Sequence, residues 1–205
     1  MARDTHSIVK MSRREGYALH PKAHKALVKR TTAPGQAANS RMRNKPSQYS
    51  LQLREKQKVK RTYGLLEKQF SNLMKEASRK QGQSGEVLLQ FLEQRLDNAV
   101  YRAGFASSRR AARQLVSHGH FMMNGRRVDV PSIRVKVGDE FVVRDRSKQT
   151  EYFKKLDDVS PAPSTAPAWL KVNRKSFALT ITGIPARDDA EPEIKEQLIV
   201  EYYSR

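Results

Sequence analysis

Between Asp97 and Asp129 the sequence runs through 31 residues without a carboxylate while carrying six cations, all arginine: Arg102, Arg109, Arg110, Arg113, Arg126 and Arg127. A guanidinium is planar, permanently charged and forked, so it matches phosphate geometry in a way that lysine's flexible point charge does not. A merely solvated surface mixes its signs, and an acid-free arginine run inside a stretch patterned as folded structure points instead to a polyanion. At about 100° per residue, a helix capped by Ser107 or Ser108 sets Arg109, Arg113, Ser117 and Arg110 in one arc. Ala111, Leu115, Ala112 and Val116 fill the opposite arc. The arginines crowd the helix start, where free backbone N–H groups and the dipole also favour phosphate.

Other residues capable of chemistry are weaker candidates. His20 and His24 lie four apart, but two imidazoles without a third ligand make a poor metal site. The absence of cysteine removes thiolate zinc and disulfides, so neither metal nor cofactor is expected. Arg95-Leu96-Asp97 resembles a tripeptide of pseudouridine synthases, yet no remaining segment is large enough for that catalytic domain. No catalytic residue is assigned, the chain is not expected to be an enzyme, and Asp97 is expected to pair with a nearby arginine. His118 and His120 either meet exposed bases or phosphate or pack at the helix end.

The whole chain supports a polyanionic partner, with 40 Lys+Arg against 21 Asp+Glu and a formal charge of +19. Residues 1–60 hold 15 basic and three acidic groups (+12), whereas residues 156–205 hold six and eight (−2). This asymmetry suggests a broad binding surface at the front and middle, and an end that faces protein or solvent. A hydrophobic content of 38% in 205 residues allows one or two modest cores. No apolar run approaches the ~20 residues of a membrane span, and Met1-Ala2-Arg3-Asp4 opens no apolar signal region. A cytoplasmic location is expected.

The elements that must position these residues are legible as patterns. Residues 1–48 mix basic groups with Gly, Pro, Ser and Asn, including Ala33-Pro34-Gly35-Gln36 and Asn44-Lys45-Pro46-Ser47, and predict a loosely ordered extension. Tyr49 to Tyr63 predicts a helix whose Arg54, Lys56, Lys58, Lys60 and Arg61 crowd a few apolar positions, as if lying against something negative. A second helix, Leu65 to Lys80, carries a core-facing stripe of Leu65, Leu66, Phe70, Leu73, Met74 and Ala77. A third, capped by Ser84, runs through Val87, Leu88, Phe91, Leu92, Leu96, Ala99 and Val100 to a stop at Gly104. After Gly119, Phe121-Met122-Met123, Asn124-Gly125 and Arg126-Arg127-Val128 spell a hairpin, because Asn-Gly supplies the positive φ angles of a type I′ turn. Strands are predicted at Ile133–Val137, Phe141–Val143 and Phe177–Thr182. A polar linker covers Val159 to Pro167, and a helix from Pro192 carries Ile194, Leu198, Ile199 and Tyr202 and needs a partner surface.

These motifs carry a resemblance. Phe91 to Arg144 resembles the RNA-binding module named after small-subunit ribosomal protein four. Ser12-Arg13-Arg14-Glu15-Gly16, Gln52-Leu53-Arg54-Glu55-Lys56-Gln57-Lys58-Val59, Arg95-Leu96-Asp97-Asn98, Ala112-Arg113-Gln114-Leu115-Val116-Ser117-His118 and Leu198-Ile199-Val200-Glu201-Tyr202-Tyr203-Ser204 are similar to that family's own motifs, in its order. The resemblance covers essentially the whole chain and implies an α+β fold: a mainly helical domain with an inserted small helix-helix-β-sheet RNA-binding module. The implied division is a basic extension at 1–48, a helical domain from 49–90 and 156–205, and the module at 91–155. Many members bear a zinc-binding cysteine cluster near the amino terminus, from which this chain departs.

The resemblance also implies function: a structural protein that binds the five-prime domain of small-subunit (16S) ribosomal RNA early in assembly. Implied partners are messenger RNA where it enters the subunit, with a role in translational accuracy, and neighbouring proteins five and three. A free RNA chaperone or translational regulator using the same module is the alternative. The candidate RNA contacts are Arg109, Arg110, Arg113, Gln114, Ser117, His118, Arg126 and Arg127, together with Arg13, Arg14, Arg54, Lys56, Lys58, Lys60 and Arg61. Neutralising about six to ten phosphates would weaken binding roughly 10³- to 10⁵-fold between 50 and 200 mM salt. From sequence alone, Arg109→Glu with Arg113→Glu is expected to abolish specific RNA binding and leave the fold intact, which a filter-binding titration beside circular dichroism checks.

Overall fold

A computed structural model describes residues 4–35, 46–163 and 167–204, which fall into two compact units: residues 1–88 with 192–205, and residues 89–191. The turn signals at Gln36 and at Asn44-Lys45 lie outside the described residues.

The first unit is helical. Helix α1 (Ile8–Glu15) buries Met11 and Ser12 and ends at Gly16, whose φ of 64° lets its N–H reach the Ser12 carbonyl. A short 3₁₀ turn at Pro21–Ala23 leads into α2 (His24–Lys29). The front segment, predicted to be loosely ordered, is thus partly helical. Met11, Leu19 and Ala23 supply its buried contacts, and Arg13 donates twice to the Thr32 carbonyl, at 3.1 and 2.9 Å. Helix α3 (Gln48–Thr62) starts at Ser47, whose Oγ accepts from the Ser50 N–H at 3.3 Å. It buries Gln52, Lys56, Val59 and Thr62, one stripe at helical spacing. Helix α4 (Glu67–Ala77) contributes Phe70, Met74 and Ala77 to the core.

The partner of α3 is the helix near the carboxyl end, α11 (Glu196–Tyr203), which begins four residues later than Pro192 suggested. Polar groups tie the two: Gln52 Nε2 donates to Glu201 at 2.7 Å, Lys58 Nζ to the Glu193 carbonyl at 2.7 Å, and the Lys195 N–H to Glu55 at 2.9 Å. Lys56, only 3% exposed, bonds Glu67 at 2.7 Å and sits 4.4 Å above the Tyr202 ring. A desolvated cation over an aromatic face contributes about 2 kcal/mol.

The second unit packs helices on an antiparallel sheet. Helix α5 (Ser84–Glu93) leads into it, followed by α6 (Leu96–Arg102) and α7 (Arg109–Ser117). The single third helix predicted to reach Gly104 is therefore two. Arg95 adopts φ −67°, ψ 138° and bridges Arg134, while the Leu96 N–H donates to the Ile133 carbonyl and the Val135 N–H to the Gln94 carbonyl. Backbone pairing with this segment overrides helix continuity, and it leaves Ile133–Val137 as a bridge rather than a strand.

Strands β1 (Phe121–Met123) and β2 (Arg126–Val128) form the predicted hairpin, with φ of 47° at Asn124 and 81° at Gly125. With β3 (Glu140–Val143), β4 (Leu170–Asn173) and β5 (Ala178–Ile181) the sheet order is β2-β1-β3-β5-β4. Short helices α8 (Asp145–Lys148), α9 (Glu151–Lys154) and α10 (Leu156–Val159) bury Phe153 and Leu156. Residues 156–191, grouped by the sequence reading with the helical flank, lie in this second unit, because β5 pairs with β3 from Glu140↔Thr180 to Val142↔Ala178. Leu96, Phe105, Val116, Phe121, Phe141 and Leu179 are among the buried side chains of one core. Among the described residues no helix is long and apolar enough to cross a membrane.

The Glu67 carboxylate accepts from Lys56, Lys60 at 2.9 Å and Tyr203 at 2.8 Å. Burial alone would push it up, but the bonds from Lys56, Lys60 and Tyr203 outweigh burial and hold it at about 2, below its ordinary 4.5. A depressed carboxylate stabilises the fold above its unfolded value, and that contribution is lost as pH falls from 4.5 toward 2. Urea midpoints at pH 5 and pH 3 are expected to fall more for the wild type than for Glu67→Gln, and equal falls would show that the group contributes nothing.

Candidate nucleic-acid interface

Helix α7 is fixed at its start by Ser108, which adopts extended geometry and accepts the Ala111 N–H on Oγ at 3.3 Å. Burial of Ala112, Leu115 and Val116 sets its rotation. Arg110, Gln114 and Ser117 then face outward, joined past the last turn by exposed His118. The chain reverses at Gly119, φ 70°, and enters the hairpin. Arg126 and Arg127 are both exposed on β2, on opposite faces of the strand as its alternation requires. The Arg127 guanidinium lies against Gly119: a Cβ there would stand 2.4 Å from Arg127 Nε. The hairpin thereby delivers a cation to the Gly119 turn that follows α7.

Arg109 and Arg113 turn the other way. Arg113 donates to Asp97 Oδ2 at 3.2 Å, and Arg95 grips the same carboxylate through two bonds of 3.0 and 2.8 Å. Arg109 donates from Nε to Asn98 Oδ1 at 2.9 Å and from Nη2 to Glu191 at 2.8 Å, with its guanidinium 4.7 Å from the Tyr101 ring centre. Beneath them the Glu93 side chain is fully buried, accepting two bonds from Arg102 at 3.0 and 2.9 Å and one from Asn98 Nδ2 at 2.7 Å. The outward arc is therefore Arg110, Gln114 and Ser117, roughly a quarter-turn away from the one centred on Arg109 and Arg113. Carboxylates on α5 and α6 draw those two arginines inward, giving Asp97 the arginine partner expected of it.

In the first unit most of the predicted cations are likewise engaged within the fold. Arg54 and Arg61 converge on Glu15, whose side chain is fully buried. Burial raises the Glu15 carboxyl above its ordinary range despite the opposing pull of Arg54 and Arg61. Lys56 and Lys60 hold Glu67, and Lys58 meets Glu55 at 3.3 Å and the Glu193 carbonyl. The negative surface that α3 lies against is largely this protein's own, although Arg54 retains 36% side-chain exposure. Arg13 is bound to Thr32, and Arg14 is exposed.

Two participants escape the sequence reading. Glu93 signals itself only as a carboxylate shortly before the acid-free run. Arg144 has no local signal, yet its Nη1 donates to the Gly119 carbonyl at 3.2 Å. His120 packs rather than projects: its Nδ1 lies 3.0 Å from Ser147 Oγ and its ring meets Phe153 edge-on. Burial first, then the charges of His118 and Arg144, hold it below the ordinary imidazole range. The outward set of guanidinium, amide, hydroxyl and imidazole suits phosphate oxygens, ribose hydroxyls and exposed base faces.

Comparison with known proteins agrees with this chemistry. Residues 3–93 match the family described as Ribosomal protein S4/S9 N-terminal domain, and residues 94–141 match the S4 domain. Over the full length of both chains the sequence is 48% identical to Small ribosomal subunit protein uS4A of Symbiobacterium thermophilum and 49% identical to Small ribosomal subunit protein uS4 of Clostridioides difficile. It is 48% identical, again over both whole chains, to the uS4 protein of Chloroflexus aurantiacus.

Removing one partner of a buried ion pair costs about 3–5 kcal/mol, against about 0–1 for an exposed one. Glu93→Gln, which keeps a hydrogen-bonding oxygen for a part-exposed Arg102, is expected to lower unfolding free energy by about 2–3 kcal/mol in urea titration. The Arg109→Glu, Arg113→Glu pair places new carboxylates against Asp97, Glu93 and Glu191. It is expected to unfold the second unit, correcting the sequence-based expectation that the fold survives; an unchanged circular dichroism melt would contradict this.

Proposed function

We propose that this chain, which belongs to the bacterial uS4 family of small-subunit ribosomal proteins, meets ribosomal RNA chiefly through the outward face of α7 and the β1–β2 hairpin. As a member it is a structural, non-catalytic constituent of the small ribosomal subunit that binds ribosomal RNA, and its location is that of the ribosome in the cytoplasm. The observation that carries the proposed contact surface is the sorting of cations on α7. Arg109 and Arg113 are held by carboxylates, whereas Arg110, Gln114, Ser117 and His118 face out, within reach of a hairpin arginine.

The finer reading is that the RNA bound is the five-prime domain of 16S ribosomal RNA and that binding there nucleates assembly of the subunit. Phosphate contacts position a protein without naming a sequence, so recognition on this reading comes from the shape of folded RNA, its 2′-hydroxyls and its exposed bases. Arg14 and the exposed part of Arg54 add backbone contacts from the first unit. We extend the reading to a contribution where messenger RNA enters the subunit, to translational accuracy, and to contacts with neighbouring proteins five and three. The resemblance of the motifs to that family supports these assignments. A free RNA chaperone using the same face is the competing reading, and it predicts a protein that washes off salt-treated subunits.

Because Arg110 and Gln114 are exposed, Arg110→Glu with Gln114→Glu should shift the melting curve little, since exposed ion pairs contribute only about 0–1 kcal/mol. Specific affinity for a five-prime-domain transcript is expected to fall on the order of a hundredfold in filter binding at 0.1 M salt, as two phosphate-facing positions turn repulsive. Affinity within twofold of the wild type would remove α7 from the interface.

A further inference from the structure

The turn that closes α7 holds more charge than a chain reversal needs. Gly119 is buried and takes φ 70°, in the left-handed region. Its carbonyl, just past the cap of α7, accepts from Arg144 Nη1 at 3.2 Å. Its Cα side is covered by Arg127: an added Cβ would fall 2.4 Å from Nε, 2.6 Å from Nη2 and 2.9 Å from Cζ. Two guanidinium groups are thus laid against one residue, with His118 exposed one position before it.

The floor of this corner is bonded into the fold. The Arg144 N–H donates to the His120 carbonyl at 2.9 Å, and the His120 ring is wedged between Ser147 and Phe153. The nearest carboxylate in sequence, Asp145, is turned to Lys148 at 2.8 Å. The negative end of the helix dipole favours cations here. A guanidinium has five N–H donors in a planar fork, so each group, set against the same residue, has donors to offer an anion at this corner.

We propose that the Gly119 corner is a phosphate-binding subsite for the RNA backbone, formed by Arg127 and Arg144, in which glycine at 119 is a positioning residue because it alone leaves room for the Arg127 guanidinium. The subsite rests on the RNA-binding reading above and adds to it Arg144 as a contact and Gly119 as a determinant. A residue that tolerates positive φ at 119 displaces the tip of a flexible side chain rather than backbone, so its main effect falls on RNA and not on folding.

A double-mutant cycle in the full chain tests this, reading affinity for a five-prime-domain transcript across a salt series with melting curves alongside. Arg127→Ala and Arg144→Gln are each expected to weaken binding on the order of tenfold and to make the dependence of log affinity on log salt shallower by about one. Gly119→Asn adds a Cβ while keeping a residue that tolerates positive φ, and it is expected to weaken binding several-fold in the wild type but not in Arg127→Ala. An equal loss from Gly119→Asn in both backgrounds overturns the positioning role, and unchanged binding by Arg144→Gln overturns the subsite. These failures are distinct from failure of the wider reading, in which Arg110→Glu with Gln114→Glu also leaves binding untouched.

Discussion

The Glu93 carboxylate, wholly removed from solvent yet held by Arg102 and Asn98, is the interaction on which the second unit's surface depends. A buried charge is tolerable only when its bonding capacity is met. Meeting it fixes α6 against the end of α5, and Asn98 passes the constraint to Arg109 and so to α7. Asp97 repeats the device with Arg95 and Arg113. Carboxylates thus draw Arg109 and Arg113 inward.

The same economy governs the first unit, where Glu15 and Glu67 organise the cations of α3. A chain of charge +19 therefore does not present all of that charge to a partner. Much of it is internal scaffolding, and on α7 the outward-facing share is carried by fewer groups.

Local features were legible in the sequence and non-local ones were not. Asn124-Gly125 marked the hairpin because positive φ is a requirement of the turn itself, and Ser108 marked the start of α7 because a cap is a local bond. The break at Arg95 left no local trace: apolar spacing continues through Leu92, Leu96 and Ala99, and only the Ile133–Val135 backbone reveals why the helix stops. Strand β4 alternates as Leu170-Lys171-Val172-Asn173, but four residues are too short a signal to stand out beside Trp169. Within the candidate interface the helix and hairpin were found from sequence. The facing of Arg109 and Arg113 was not, because it is set by Glu93 and Glu191, of which the latter lies some eighty residues away along the chain. Lys56 misled for the same reason, its anion and its aromatic lid coming from α4 and α11.

The docking of α11 on α3 has a temporal corollary. Translation proceeds from the amino end and domains fold as their residues emerge, so residues 89–191 become available before the segment that completes the first unit. Until Glu196–Tyr203 arrives, Gln52 lacks its Glu201 partner and Lys56 its Tyr202 ring. A nascent chain would therefore mature its sheet-bearing half first, leaving the helical half the later to consolidate.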